Sequence, residues 1–307
     1  MTVPRVVVVV INWNRCDDTL ACLASLRRVE YPACEIVVVD NGSRDDSVAR
    51  LRAAYPQVQL IAEAENSGFV GGSNRGIRTA RSSGAEYILL LNNDAIIAPD
   101  CLTLLADAAA PGDVAAVGPT IYFHDRHDVI CSAGERIDWK RGRTITLRFL
   151  EHERDGGPDV TAPHEVDFVS GCCLLVKASA IDKVGELDER FFAYFEETEW
   201  CVRMQRAGLR ILHVPRARLW HKINLQQQAQ SPLVRYYMTR NKLLFLKATG
   251  APWTAWFHTL VFDYARTLVS WSVRPKWRAQ RLQRDVMLRA IADYCKGRLG
   301  RAPEYET

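Results

Sequence analysis

Three polar residues end the apolar run in YILLLNNDAIIAPD, residues 87–100: Asn92, Asn93 and Asp94. A carboxylate flanked by amide oxygens suits a hard divalent cation, and Mg2+ or Mn2+ is often held by one or two carboxylates together with substrate phosphates. The same residues would also serve as an Asn-rich turn capping a helix that begins near Pro99. A second group lies in FFAYFEETEWCVRMQRAG, residues 191–208, where Glu196, Glu197 and Glu199 follow a run of aromatics. A carboxyl against an apolar wall has its pKa raised toward neutrality, where it can take a proton from a hydroxyl. Acids at a helix start also gain from the macrodipole, and Glu199 pairs at i,i+4 with Arg203, the preferred reading for Glu199. His221, closing ILHVPRARLWH, is a packing residue unless Asp94 holds a metal.

The elements that must position these groups alternate. Val6–Ile11 is a continuous apolar run of the kind covered on both faces, and strands follow at 35–39, 58–61 and 87–91, with helices at 17–28, 45–54 and 70–82. This order predicts an α/β fold with a mostly parallel sheet flanked by helices, whose ligands gather beyond the carboxyl ends of the strands. Those ends are Asn12-Trp13-Asn14, Asp40-Asn41-Gly42-Ser43, Glu65-Asn66-Ser67-Gly68 and Asn92-Asn93-Asp94, four polar tips along one edge. Asp40 precedes its turn and can accept hydrogen bonds from a ribose hydroxyl or a base N–H; Asp45 and Asp46 read as helix caps. Gly68, Gly71, Gly72 and Gly76 would let backbone approach a ligand closely. They match neither G-x-G-x-x-G nor the phosphate-binding G-x-x-x-x-G-K-[ST], which argues against dinucleotide and P-loop chemistry. Further on, 148–163 reads as a mobile loop, 166–176 as a strand, and 196–207 as a helix closed by Gly208.

Composition sets the limits. The 307 residues are 48% hydrophobic and 25% charged with a net charge of +4, an ordinary globular balance that gives no reason to expect a nucleic-acid partner. Nine cysteines with no C-x-x-C pair read as core thiols in a reducing compartment, not as a zinc site or a disulfide framework. MTVPRVVVVVIN reads as a first strand, since its apolar stretch is short and no cleavage site follows; the expected location is cytoplasmic.

Taken in order, VVVVVINWN, VVVDNGSRDDS, ENSGFVGGSNRGI, LLLNNDA, the long segment from VSGCCLLVK to PRARLWH, and RYYMTRNKLLFL resemble the family-2 inverting glycosyltransferases of the nucleotide-sugar-binding A-type fold, in particular the rhamnosyltransferase-like branch. The resemblance spans about residues 5–247. It implies a nucleoside-diphosphate-sugar donor, dTDP-rhamnose or a UDP-hexose, and a glycan or lipid-linked hydroxyl acceptor in cell-surface polysaccharide synthesis. It assigns donor binding to Asn12, Trp13, Asn14, Asp40, Asn41, Ser43, Asn66, Gly68, Phe69, Gly71, Asn74, Asn92 and Asn93. Asp94 matches the last aspartate of the family's Asp-x-Asp motif and is the implied ligand of Mg2+ or Mn2+; Asn92 replaces the first carboxylate. His221 matches a histidine that completes the metal shell in some members. The family's Glu-Asp pair becomes Glu196-Glu197, making Glu197 the base by position, or Glu196 if the extra methylene carries Glu197 too far.

Residues 1–228 are expected to form the catalytic domain, with a donor half at 1–98 and an acceptor half at 99–228, and 229–307 a helical C-terminal extension. In the extension Trp253, Trp256, Phe257, Leu260, Val261, Tyr264, Leu268 and Trp271 recur at helical spacing before a basic run from Arg274 to Arg284. Such a face either packs on the domain or in a homodimer, or lies peripherally on the inner face of an anionic membrane. Two other readings remain open: a nucleotidyltransferase, against which stands the absence of glycine at Asn12-Trp13-Asn14-Arg15, and a nucleotide-sugar-binding module weakened by the missing first aspartate.

Overall fold

An unbroken valine run from 6 to 10 makes sense only if both faces of its strand are covered, and both are: Val6 to Val10 are at most 1% exposed. The computed structural model describes residues 3–155 and 161–302. Its first half runs β1 (Val6–Asn12), α1 (Cys16–Leu26), β2 (Cys34–Asp40), α2 (Ser47–Ala54), β3 (Gln59–Ala62), α3 (Gly68–Ser82), β4 (Tyr87–Asn92), β5 (Ala95–Ile97) and α4 (Cys101–Ala109). There follow β6 (Val114–Phe123), β7 (Arg126–Ser132), the hairpin β8 (Glu135–Asp138) and β9 (Arg143–Thr146), β10 (His164–Glu165), β11 (Cys173–Lys177), α5 (Ala178–Val184), α6 (Glu196–Arg206) and β12 (Arg210–His221). The rest is helical: α7 (Leu225–Gln230), α8 (Pro232–Ala248), α9 (Trp253–His258), a π-helical stretch over Thr259–Ala265, α10 (Arg266–Val273) and α11 (Arg281–Cys295).

The main sheet has the order β10-β12-β6-β11-β4-β1-β2-β3, with β5 on β12 and β7 on β6. β3, β2, β1 and β4 run parallel, as alternation with helices requires, while β11 enters antiparallel between β4 and β6. Side chains alternate across the sheet, so Val7, Val9, Ile88 and Leu90 pack with α3 and α6 on one face, while Val6, Val8, Leu89 and Leu91 pack with α1 and α4 on the other.

Three local expectations shift. The helix expected from 45 begins at Ser47, because Asp45 Oδ1 accepts the Ser47 N–H at 3.1 Å and forms a turn ahead of it. The expected strand at 166–176 is continuous only from Cys173, with a single bridge from Phe168 to Glu135 before it, because Ser170 accepts the Cys173 N–H in a turn that lays Gly171 along the Glu197 side chain. Of the loop expected at 148–163, residues 156–160 lie outside the described residues, and Glu153–Asp155 form a 3-10 turn. Gly208 closes α6 with φ +77°, in the left-handed region its position demands.

The helical extension is built into the catalytic core. Leu244, Phe245 and Leu246 of α8 join the core beneath α6, and α11 packs along α8 with Tyr236 donating to Asp293 at 2.8 Å. The aromatic face expected after 253 divides: Tyr264 is buried and Trp256, Leu268 and Trp271 pack beside it, while Trp253, Phe257, Leu260 and Val261 stay 40–75% exposed. No helix of the described residues is long and apolar enough to cross a membrane.

Candidate active site

The polar strand tips first hold one another. Asn12, fully buried, donates to Asp40 Oδ2 at 2.7 Å and to Ser43 Oγ at 3.2 Å, and its carbonyl accepts from Thr19 at 2.6 Å. Asp40 also accepts from the Ser43 backbone N–H and hydroxyl. Asn93 donates to Thr19 Oγ1 at 2.9 Å, so a chain of side chains crosses from β4 to β2 through α1. Asn41 repeats the device toward α3, bonding Gly68 O, Asn66 and Ser67. Asn14, with φ 53°, accepts the Arg44 N–H, and Trp13 beside it is 36% exposed. Thr19, absent from the sequence reading, is the joint of this network; a lone helical threonine gave no signal.

Three assignments meet a different geometry. Asn74 is buried on α3 with its amide spent on the Leu187 backbone at 2.9 and 3.1 Å, so it ties α3 to the loop before α6. The α3 glycines approach protein: a Cβ on Gly68 would meet Phe192 O at 2.5 Å, and one on Gly71 the Ser67 side chain at 2.5 Å. Gly68 has φ +79°, a conformation costly for any side chain. These residues fix the sheet edge against the acid-bearing loop.

Beyond that edge opens a cavity of roughly 680 Å3, lined by Arg15, Phe69, Asn92, Asp94, Glu135, Glu196, Glu197, His221 and Lys222 among others. Asp94 stands where β4 ends and β5 pairs with β12; the β5–β12 register sets His221 opposite Ala95 and brings His221 Nε2 to 3.0 Å from Asp94 Oδ1. That contact has ion-pair distance without hydrogen-bond alignment, so the buried Oδ1 has no hydrogen-bond donor among the described residues. Burial pulls the imidazole's pKa down, but Cys172, Asp94 and Cys131 beside it outweigh burial and raise it. Burial also pushes the Cys172 thiol up. An orphaned carboxylate oxygen beside an imidazole nitrogen fits a divalent cation. Among the described residues no group of three or more His, Cys, Asp or Glu side chains is arranged to hold a metal ion, so a cation here would need further ligands from a substrate. Arg15 and Lys222, both tethered to Asp18 at 3.3 and 3.1 Å, add positive charge to the wall.

Glu196 and Glu197 open α6 across the same cavity, delivered by a loop with three left-handed non-glycine residues: Phe192, Tyr194 and Phe195 at φ 67°, 70° and 73°. Such backbone costs on the order of 1 kcal/mol per residue and persists only when its surroundings hold it. Here α8 does the holding. Asn241 Nδ2 donates to the carbonyls of Phe191, Ala193 and Tyr194 at 2.7, 2.6 and 3.0 Å, and Arg240 adds contacts to Phe191 O and Gly300 O. Burial raises both acids, and for Glu196 the neighbouring Glu197 adds to the rise. Backbone N–H groups of Glu197, Gly171 and Thr198 offset burial for Glu197, which makes it the readier of the two to ionise. Glu199 faces away and is bound by Arg203 at 2.8 Å, the ion pair its spacing indicated.

Glu135 is a third acid on this wall, and the sequence reading missed it. It is 6% exposed at the start of β8, its Oε1 accepts from Ser132 at 2.7 Å, and burial lifts its pKa to about 8. Nothing local in CSAGERID marks it, because only the packing of β8 against Phe168 brings it inward. Asp94, Glu135, Glu196 and Glu197 each leave one buried oxygen without a donor, four in one cavity.

The mostly parallel sheet flanked by helices is a glycosyltransferase A-type fold. Residues 7–185 match the model of glycosyl transferase family 2, and the chain belongs to that family. Among its relatives are dTDP-rhamnosyl transferase RfbF of Shigella flexneri, 26% identical over 80% of this chain and 81% of that one, and the N-acetylglucosaminyl-diphospho-decaprenol L-rhamnosyltransferase of Mycobacterium tuberculosis, 31% identical over 65% and 70%. The mannosyltransferase PcManGT of Pyrobaculum calidifontis, solved with GDP-Man and Mn2+, shares the fold over 96% of this chain and 88% of its own, with a TM-score of 0.58 at 16% identity.

Proposed function

We propose that this glycosyltransferase moves rhamnose or a hexose from a dTDP- or UDP-sugar to a hydroxyl of a glycan or lipid-linked acceptor, inverting the anomeric centre in one direct displacement. The observation that carries the reading is the opposition, across one cavity, of the Asp94–His221 pair and the Glu196–Glu197 pair. Asp94 and His221 would hold Mg2+ or Mn2+, which when bound supplies positive charge against the departing diphosphate. Arg15 and Lys222 stand on the same wall and add to the positive charge that would face the diphosphate. Glu197 accepts the proton of the acceptor hydroxyl as it attacks, while Glu196, the harder of the two to ionise, keeps its proton. General-base assistance of this kind is typically worth ~10²–10⁴-fold in rate.

The RfbF name supports dTDP-rhamnose as donor, and the mycobacterial relative's name supports a lipid-diphosphate acceptor. The decisive test is Glu197→Gln: turnover of the preferred nucleotide sugar should fall by about 10²–10⁴-fold with nucleotide binding intact. Equal loss of binding and turnover would remove Glu197 from the chemistry. The exposed Trp253, Phe257, Leu260 and Val261 support peripheral contact with a membrane, since amphipathic aromatic faces settle at the headgroup level.

A further inference from the structure

A second cavity, roughly 510 Å3, opens behind the acids and shares Glu135 and Glu197 with the first. Its outer wall is α7 and α8, with Leu225, Val234, Arg235 and Met238. Arg235 is half-buried, its Nε is buried with no hydrogen-bond partner, and among the described residues its guanidinium makes no hydrogen bond or ion pair. The guanidinium lies over the ring of Trp271, 5.5 Å from the guanidinium carbon to the centroid. The fold treats its other inward arginines differently: Arg203 is locked to Glu199 and to backbone carbonyls, and Arg240, one turn further along α8, bonds Asn241, Gly300 and Phe191. Burial lowers the pKa of Arg235, as expected of a cation short of a counter-charge. Arginine's planar fork matches phosphate oxygens in pairs. Past Arg235 the wall turns apolar: Met238, further along α8, lines the cavity and is 41% exposed.

We propose that Arg235 binds a phosphate group of the acceptor, placed between the hydroxyl that faces Glu197 and an apolar tail that leaves over Met238. The inference rests on the glycosyltransfer reading and assigns the side chain that would recognise the phosphate of a lipid-linked acceptor. The cavity is continuous with the proposed base, holds one unpaired cation, and ends in apolar surface, the order in which such a molecule presents its parts.

The probes are farnesyl diphosphate and farnesol, titrated calorimetrically into the full chain in EDTA, which keeps diphosphate from a metal-loaded donor site. The wild type should bind farnesyl diphosphate at least ~10-fold more tightly than farnesol, and Arg235→Gln should erase that preference while leaving farnesol binding unchanged. Arg235→Lys should keep part of it, with a steeper loss in salt. Equal binding of the two probes by the wild type overturns the proposal without any variant, and so does an Arg235→Gln variant that keeps the preference. Mn2+-dependent hydrolysis of nucleotide sugars by the wild type tests the glycosyltransfer reading separately: its absence, with the probe preference intact, would sink that reading and leave the phosphate site standing.

Discussion

Asn241→Ala removes the amide that holds the strained loop in front of the acid pair. The Asn241 side chain is fully buried, and its two N–H groups serve three carbonyls, those of Phe191, Ala193 and Tyr194. Phe191 O keeps the Arg240 guanidinium at 3.1 Å and the Ala193 N–H at 2.8 Å, so the loss falls on Ala193 and Tyr194. The Arg240 Nε–H also loses Asn241 Oδ1, its acceptor at 2.9 Å, and three hydrogen bonds at ~0.5–1.5 kcal/mol each give a loss of ~1.5–4.5 kcal/mol in stability. The freed segment can then relax its left-handed residues at 192, 194 and 195, which stand immediately before Glu196 and Glu197. A base displaced by about 1 Å costs on the order of 10²-fold in rate. Donor affinity should hold, because Asp94 and His221 are placed by β4, β5 and β12 and not by this loop. Urea unfolding and steady-state kinetics on the same preparation check both numbers. A variant that loses the stability yet keeps full kcat would show that α8 does not position the acids; parallel loss of kcat and donor affinity would show a general collapse instead.

Other expectations concern separate groups. Glu135 has its carboxyl raised from an ordinary 4.5 to about 8, so the unfolded chain ionises first as pH rises, and the folded state loses up to ~5 kcal/mol between pH 4.5 and 8. Glu135→Gln should therefore be more stable than wild type at pH 8, with the difference vanishing near pH 4.5 in thermal melts; a constant difference across that window would contradict the buried neutral acid. Asp94→Asn and His221→Ala should each abolish the rise in melting temperature that Mn2+ with a nucleoside diphosphate gives the wild type, and persistence of that rise in both would move the metal elsewhere. Trp253→Glu with Phe257→Glu should release the protein from anionic liposomes in flotation while its melting temperature stays put, since both side chains are exposed. Undiminished flotation would leave the aromatic face without a membrane role. Substitution is a cleaner probe than truncation after Lys247, which would also strip α11 from α8 and loosen the clamp on the acids.

The sequence by itself determined what is local. The valine run, the alternation of strand and helix, the polar strand tips and the acid pair at a helix start are written in neighbouring residues, because strand and helix periodicities act over a few positions. The Glu199–Arg203 pair was legible for the same reason. Only the tertiary structure decided which polar residues face the cavity and which are spent on each other. Asn12, Asn41 and Asn74 look alike in sequence, yet each is committed to a partner 25 to 115 positions away. Glu135 and Arg235 belong to the cavity because a hairpin and a C-terminal helix close over it, and burial, unlike charge, is set by whatever the rest of the chain brings alongside. The clamp of Arg240 and Asn241 on the acid-bearing loop is likewise a meeting of segments some 50 residues apart, one that no local pattern encodes.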